Sequence, residues 1–525
     1  MQLSLTDLRD GLVLVEFPDA AEDAANRAAV ALARSIRDLE ARGLRDAIPA
    51  ARTLLVSFDP LCLSHRSIRR VLARARPGSG VPSAPSRTLE IEVAFDGQDL
   101  PEVAAAAGLS PDAFTREYAR AEYRVAFLGF SPGFAYMTGL PPRLRVPRLA
   151  SPRLRVPAGS VAIAGAYTGI YPSATPGGWR IVGRTAARVF DPRRSPAPLF
   201  EPGDRVRFFP GGASALGERA REDSPPHSGE ALFRVVEPGL WTAVVGAPRW
   251  GMASWGVPPG GAMDPVSLAL ANEAAENPPD APALEMAMEG PELEALAPCI
   301  AAVSGAEMPV ACGGSPREHG QPFAVATGDR LTFGRTRKGM RTYLAVVGGL
   351  REPQDAGHTI RLQRGDPVHR GPVHHGEPRG AGSHRAGHAL APGAAEPTVL
   401  RAVPGPHAAM FTDASLAAFF ADEWRVSAQS DRRGLRLLGA PLEHAGPAEV
   451  EPVGAAPGSV QVPGGGLPIV LGPDGPVTGG YPRIATVIGA DLYLLGRAAP
   501  GDALRFARAN LEEALAAAGA RREYD

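Results

Sequence analysis

The sequence predicts a mainly β chain, with a small α/β unit at its N-terminus and several turn-rich β units behind it. Three observations carry that prediction. The chain has 61 glycines and 54 prolines, scattered among short apolar runs rather than gathered into a repeat, which favours turn-rich β structure over disorder or collagen. One tag recurs three times, as PGDRVRF at 202–208, TGDRLTF at 327–333 and PGDALRF at 500–506. Physically it is a tight Gly-Asp bend leading into an alternating strand. Finally, 525 residues exceed what one hydrophobic core organises, and at roughly 100–200 residues per domain they imply three or four.

Residues 1–86 read as an α/β unit ending in a linker. Short β-like runs at 12–17 and 53–58 alternate with helical periodicity through Ala25, Ala28, Leu32, Ile36 and Leu39 and again over 68–75. The stretch 77–86, PGSGVPSAPS, is linker by composition. Residues 87–212 form the next unit: a period-two strand at 87–95, then two short helices, the second opened by Ser110-Pro111-Asp112 as cap and first turn. A second tag, GSV followed by TGIYP at 168–172, returns as GSV followed by TGGYP at 478–482, each ahead of a Gly-Asp strand. The shared order predicts three related β units, ending near residues 210, 335 and 507.

The first unit of the second half spans 230–350 and the last spans 399–525, closing with an exposed helix over 510–522. Between them, 351–398 is rich in Gly, Pro, Arg and His and holds His358, His369, His374, His375, His384 and His388. Their irregular spacing, without an apolar frame, reads as a solvated insertion rather than a metal site.

Charge and residue usage exclude several function classes. A net charge of −1 provides no field for nucleic acid or an anionic membrane. Cys62, Cys299 and Cys312 lack CxxC spacing, as expected in a reducing compartment. Asp7, Arg9 and Asp10 precede any apolar run, unlike a signal peptide, and no stretch approaches the roughly 18 apolar residues of a membrane span. The expectation is a cytoplasmic protein. Lys338 is the only lysine, and its surroundings fit no Schiff base, biotinyl-lysine or Walker-A loop.

Longer motifs carry a resemblance. FLGFSPGFAYMTGL at 127–140, PRLASPRLRVPAGSVAIAGAYTGIYP at 147–172 and PGGWRIVGRT at 176–185 resemble the allophanate-hydrolase-subunit-1-like family, which includes the B subunit of 5-oxoprolinase and a sporulation-kinase inhibitor. GVPPGGAMD at 256–264, ALE at 283–285, YLAVVGG at 343–349, SDRRGLRL at 430–437 and TGGYPRIATVI at 478–488 resemble the subunit-2-like partner family, which includes the C subunit of 5-oxoprolinase.

The resemblance implies cyclophilin-like β-barrels behind the N-terminal unit. It also implies a component of the ATP-dependent opening of 5-oxoproline to glutamate, with Mg2+ expected and the LamB/YcsF-type A component of 5-oxoprolinase as partner. Urea carboxylase uses the same two modules for amide or carboxyl transfer, but this chain has no biotin-carrier lysine and no room for a biotin carboxylase. The other alternative is a kinase-inhibitor-like binding module without catalysis. Five positions depart from the family pattern: Tyr118 stands for His, Tyr167 for Gln, Val245 and Gly246 for Gln and Asp, and Pro476 for Gln.

The candidate site residues follow from these motifs. GFSPG at 129–133 matches a nucleophile elbow by pattern, but Pro132 has no N–H for the oxyanion hole, so Ser131 is not expected to be a nucleophile. The loop reads instead as a ligand loop shaped by Pro132 and Gly133, with Phe130, Phe134 and Tyr136 either walling a small pocket or belonging to core. Ser160, Thr168, Tyr171, Gly178, Trp179, Thr478 and Tyr481 are binding candidates from the tagged segments. Arg180 and Arg184 suit a carboxylate, or are strand arginines facing solvent. Asp264 is a ligand candidate or the cap of the helix beginning at Pro265. Arg432 with Asp431 or Asp474 is the pairing that phosphoryl chemistry, with Mg2+ on carboxylates, suggests by residue type.

Overall fold

A computed structural model describes residues 2–75, 87–149, 151–212, 229–353, 357–372 and 397–522. The chain is mainly β with an α/β unit at its N-terminus. That unit is an antiparallel sheet in the order Ser4–Arg9, Leu12–Glu16, Thr53–Phe58, Leu44–Pro49. Alternation along its strands sends Val13, Val15, Leu54 and Val56 against Ala25, Ala29, Leu32 and Ile36 of helix Glu22–Asp38. The opposite face carries Leu12, Leu14, Ile48 and Leu55, packed on Ala253, Val453 and Val477 from the second half of the chain. A sheet apolar on both faces needs covers on both, and here the chain's own second half supplies one.

The next unit is a seven-stranded sheet that runs from Arg180–Arg184 to Thr88–Val93. Ala94 and Arg184 exchange two backbone hydrogen bonds of 2.9 Å, joining its ends into a barrel. Val125, Met137, Val161, Ile163, Val182 and Phe208 fill the interior. The last unit is a closed barrel of Thr398–Pro404, Arg483–Val487, Ser459–Gln461, Ile469–Leu471, Gly434–Leu438, Glu423–Val426 and Ala503–Arg508. In both barrels the strand after the Gly-Asp tag returns parallel to the unit's first strand.

The middle unit differs. It packs a six-stranded sheet on a five-stranded one around Phe233, Leu284, Leu293, Val303, Leu331 and Leu344. Its tagged strand, Arg330–Phe333, pairs antiparallel with both neighbours, so the tag marks a turn into a strand and not a fixed place in the fold. The unit also continues past residue 351: Leu362 and Val368 lie in its core, and Pro367–His369 is an edge strand on Ala231–Glu237. His374, His375, His384 and His388, and the whole of the 77–86 linker, lie outside the described residues.

Strand register also corrects the second tag. Ser160↔Arg184, Val161↔Gly183 and Ala162↔Ile181 in the first barrel match Ser459↔Thr486, Val460↔Ala485 and Gln461↔Arg483 in the last, with an irregularity at the same step. Counting back along the chain, Gly479-Gly480-Tyr481 stands where Gly177-Gly178-Trp179 does. TGGYP is therefore the counterpart of PGGW, and its likeness to TGIYP is coincidental; a five-residue match constrains alignment less than a hydrogen-bond ladder does.

Candidate functional site

Two groups of the expected residues come together, in different places. The first gathers around the loop at 129–133. Phe130 adopts φ +64, and its N–H donates to Thr478 Oγ1 at 3.0 Å, across 348 residues of sequence. Gly133 donates to the Trp255 carbonyl at 2.8 Å. A β-carbon on Gly256 would lie 2.3 Å from the Ser131 carbonyl, and one on Gly357 would rest on Pro132 at 3.3 Å. Backbone without side chains is what lets the two halves approach this closely.

Phe130, Phe134, Tyr136, Tyr171 and Trp179 surround one another beside this loop. Ring centroids are 5.3 Å apart for Phe130–Phe134, 5.2 Å for Phe134–Trp179 and 5.5 Å for Tyr136–Trp179, in edge-to-face arrangements. They lie on the outer face of the first barrel and pack with Ala51 of the N-terminal unit. They are core, but core between units rather than inside a barrel. Burial raises the Tyr136 hydroxyl pKa, opposed by Arg148 and the hydrogen bond with Thr478. Tyr167, which replaces the family Gln, adds another ring, 5.7 Å from Tyr136.

Other candidates stay away from this cluster. Thr168 is bonded to Tyr118 Oη inside the first barrel, which places that departure from the family in barrel packing. Arg180 pairs with Glu102 at 2.8 Å and Arg184 with Asp96 at 2.8 Å. Ser160 and Gly178 use backbone carbonyls, accepting from Tyr171 and Leu149 respectively. Among the described residues Ser131 Oγ is buried with no hydrogen-bond partner and is not aligned with any base.

The second group is ionic. Arg432 Nε donates to Asp474 at 2.8 Å, Nη1 to Glu285 at 2.8 Å, and Nη2 to the Gly261 carbonyl at 2.6 Å and to Asp474 at 3.0 Å. Thr359 donates to Asp474 at 3.0 Å. Glu285, wholly buried, also accepts from Tyr343 Oη at 2.7 Å and Met263 N at 2.9 Å, and faces Arg341 at 3.3 Å. Asp264 caps the helix Pro265–Ala274 through Val266 N and Ser267 N and pairs with Arg497 at 2.7 Å.

Burial alone would lower the Arg432 pKa, but Glu285 and Asp474 carry it above its ordinary value. By residue type the sequence offers Asp431 or Asp474 as the partner of Arg432, and it marks Glu285 only through the ALE motif, not as a partner of that arginine. Asp431 takes no part; its carboxylate accepts from Arg433 N at 2.8 Å in its own turn. Each member of the network is engaged by another, so the arrangement joins the middle unit to the last barrel.

A third feature has no signal in the sequence. A cavity of about 330 Å³ opens where the N-terminal unit, the middle unit and the last barrel meet, with Arg9, Arg45, Asp46, Trp250, Met263 and Pro476 among its lining residues. Asp46, only 4% exposed, accepts from Ala253 N at 3.0 Å. Burial pushes its carboxyl up to about 7, against the Ala253 and Gly251 amides and the charges of Arg37 and Arg45.

Between the unfolded value of 3.8 and about 7 the folded chain therefore holds a proton that the unfolded chain has lost, and stability at this group falls as pH rises through that window. Asp46→Asn is expected to be more stable, relative to the natural chain, at pH 8 than at pH 4.5. Urea midpoints at the two pH values check this, and equal differences at both would refute it.

Among the described residues no group of three or more His, Cys, Asp or Glu is placed to hold a metal ion, and no helix is long and apolar enough to cross a membrane. The family called carboxyltransferase domain, subdomain C and D, matches residues 3–200, and its companion, subdomain A and B, matches residues 255–508. The chain is 46% identical to the B subunit of 5-oxoprolinase from Escherichia coli O157:H7 over 169 residues, covering 31% of this chain and 77% of that one. It is 34% identical to the C subunit of 5-oxoprolinase from Escherichia coli strain K12 over 308 residues, covering 56% and 96% respectively. The crystal structure of TTHA0988 superposes with a TM-score of 0.82 at 36% identity, over 94% of this chain and 99% of that one. The chain belongs to the carboxyltransferase-domain family of the 5-oxoprolinase B and C subunits, with the B-type half ahead of the C-type half in one polypeptide.

Proposed function

We propose that this chain is the fused B–C component of an ATP-dependent 5-oxoprolinase, opening 5-oxoproline to glutamate with a separate LamB/YcsF-type A component. The observation that carries this reading is the interlocked junction. The 129–133 loop of the B-type half is held by Thr478, Trp255 and Gly357 of the C-type half, so the two halves act as one body, as fusion of two cooperating subunits requires. Hydrolysing an unstrained five-membered lactam needs activation of its amide, and ATP provides it. The described residues do not fit a Mg2+–nucleotide site here, because Glu285, Asp474 and Asp264 are each paired with arginine. The nucleotide accordingly falls to the separate partner.

Purified chain mixed with a cognate LamB/YcsF-type partner, ATP, Mg2+ and 5-oxoproline is expected to release glutamate and ADP in equal amounts. Glutamate no higher than with that partner alone would overturn the reading.

A further inference from the structure

The cavity where three units meet has both hydrocarbon and charged lining. Met263, Leu471, Val477 and Leu495 present hydrocarbon, while Arg9, Arg45 and Asp46 bring charge from the N-terminal sheet. The neighbouring carboxylates are already in use. Asp10 accepts from Gly489 N at 2.8 Å, and Asp59 accepts from Leu61 N at 2.9 Å and faces Arg45 at 3.6 Å. Arg9 Nη1 is spent on the Asp10 carbonyl at 2.7 Å, and its buried Nε has no partner among the described residues.

Burial pulls the Arg9 pKa down, with Asp10 the one opposing charge, as expected for a cation short of compensation. Arg45 lies 4.8 Å over the ring of Trp250, which is 42% exposed. Asp46 has four lone-pair positions and two backbone donors, so it retains capacity to accept more.

We propose that this cavity binds a small carboxylic acid that also carries an N–H group. The acid's carboxylate lies against Arg9 and Arg45, its N–H donates to Asp46, and its hydrocarbon part packs on Met263, Leu471, Val477 and Leu495. Charge-assisted bonds from guanidinium to carboxylate give such a site its affinity, and a single acceptor gives it orientation. A near-neutral carboxyl in a cleft is also the kind of group found at functional sites. Because the N-terminal unit, the middle unit and the last barrel all contribute lining, an occupant would tie the three together. Naming 5-oxoproline as the acid rests on the functional reading above; the site itself does not.

The test is binding to the full-length chain by calorimetry. The probes are 5-oxoproline, 2-pyrrolidone, which lacks the carboxylate, N-methyl-5-oxoproline, which lacks the N–H, and N-acetylglycine, an open-chain acid with an N–H. The natural chain is expected to bind 5-oxoproline at least tenfold more tightly than 2-pyrrolidone or the N-methyl compound. Arg9→Gln, and Ala456→Leu, which fills the cavity from its wall, are each expected to lose at least tenfold. The probe series on the natural chain decides the matter even where a variant folds poorly.

If N-acetylglycine binds in an Arg9-dependent way and 5-oxoproline does not, the site stands and the 5-oxoproline reading falls. If 5-oxoproline binds the natural chain, Arg9→Gln and Ala456→Leu alike, the cavity assignment is overturned while the functional reading survives. Failure of every probe to bind would also overturn it.

Discussion

Arg432→Ala is expected to destabilise the folded chain by about 3–5 kcal/mol, the cost of breaking a buried ion network by removing one partner. The guanidinium touches Glu285, Asp474, Thr359 and the Gly261 carbonyl. Without it, the wholly buried Glu285 keeps Arg341 at 3.3 Å, Tyr343 Oη and Met263 N, and among the described residues Asp474 keeps only Thr359. Arg432→Lys should recover only part of the loss, because one ammonium cannot replace a fork that reaches both carboxylates. Urea unfolding followed by near-ultraviolet circular dichroism reads the change, and Trp241, 5.4 Å beneath the Arg432 guanidinium, gives a local fluorescence signal. A loss below about 1 kcal/mol, the range of an exposed ion pair, would show that the network does not join the middle unit to the last barrel.

Gly129→Ala should also destabilise the chain, by overpacking rather than charge. The added β-carbon would fall 2.0 Å from Thr478 Oγ1 and 2.5 Å from Thr478 Cγ2. The next residue, Phe130, is fixed at φ +64 with its N–H on that same threonine, so the loop has little room to yield. Overpacking of this kind costs about 1–3 kcal/mol, and glutamate release in the reconstituted system is expected to fall with it. Thr478→Gly removes the obstructing atoms. The double variant should therefore be more stable than the sum of the single effects by about 0.5–3 kcal/mol. Strict additivity would mean that Gly129 and Thr478 do not limit each other's space.

How much of this is legible in the sequence varies by residue. Asp264 before Pro265 announces a helix start, and its carboxylate does accept from Val266 N and Ser267 N. Pro132 rules out a nucleophile at Ser131 by its missing N–H. The aromatic residues of the 127–140 motif and Trp179 are indeed gathered in one place, though between units. Arg180 and Arg184, expected as carboxylate ligands or solvent-facing strand residues, pair with Glu102 and Asp96 on the first barrel, Arg184 at a solvent-facing strand position. Arg483 stands in the TGGYPRIATVI motif but nothing there marks it as a buried charge; among the described residues neither terminal nitrogen has a partner, and burial pulls its pKa down to about 10. A one-letter code shows that a side chain is charged; it does not show whether the charge has been met.

The sequence by itself determined the β-rich class, the α/β start, the Gly-Asp bends and the helix caps at Ser110 and Asp264, because these depend on residues a few positions apart: hydrophobic period, a tight bend, a capping side chain. The resemblance added the family. Only the tertiary structure decided which polar groups are spent and where space remains. Arg432 meets Glu285 across 147 residues of sequence, Asp46 meets Ala253 across 207 and Phe130 meets Thr478 across 348. Burial and pairing over such separations depend on how whole units dock. The cavity around Asp46 is a product of that docking, lined from all three units at once, and no local stretch of sequence encodes it.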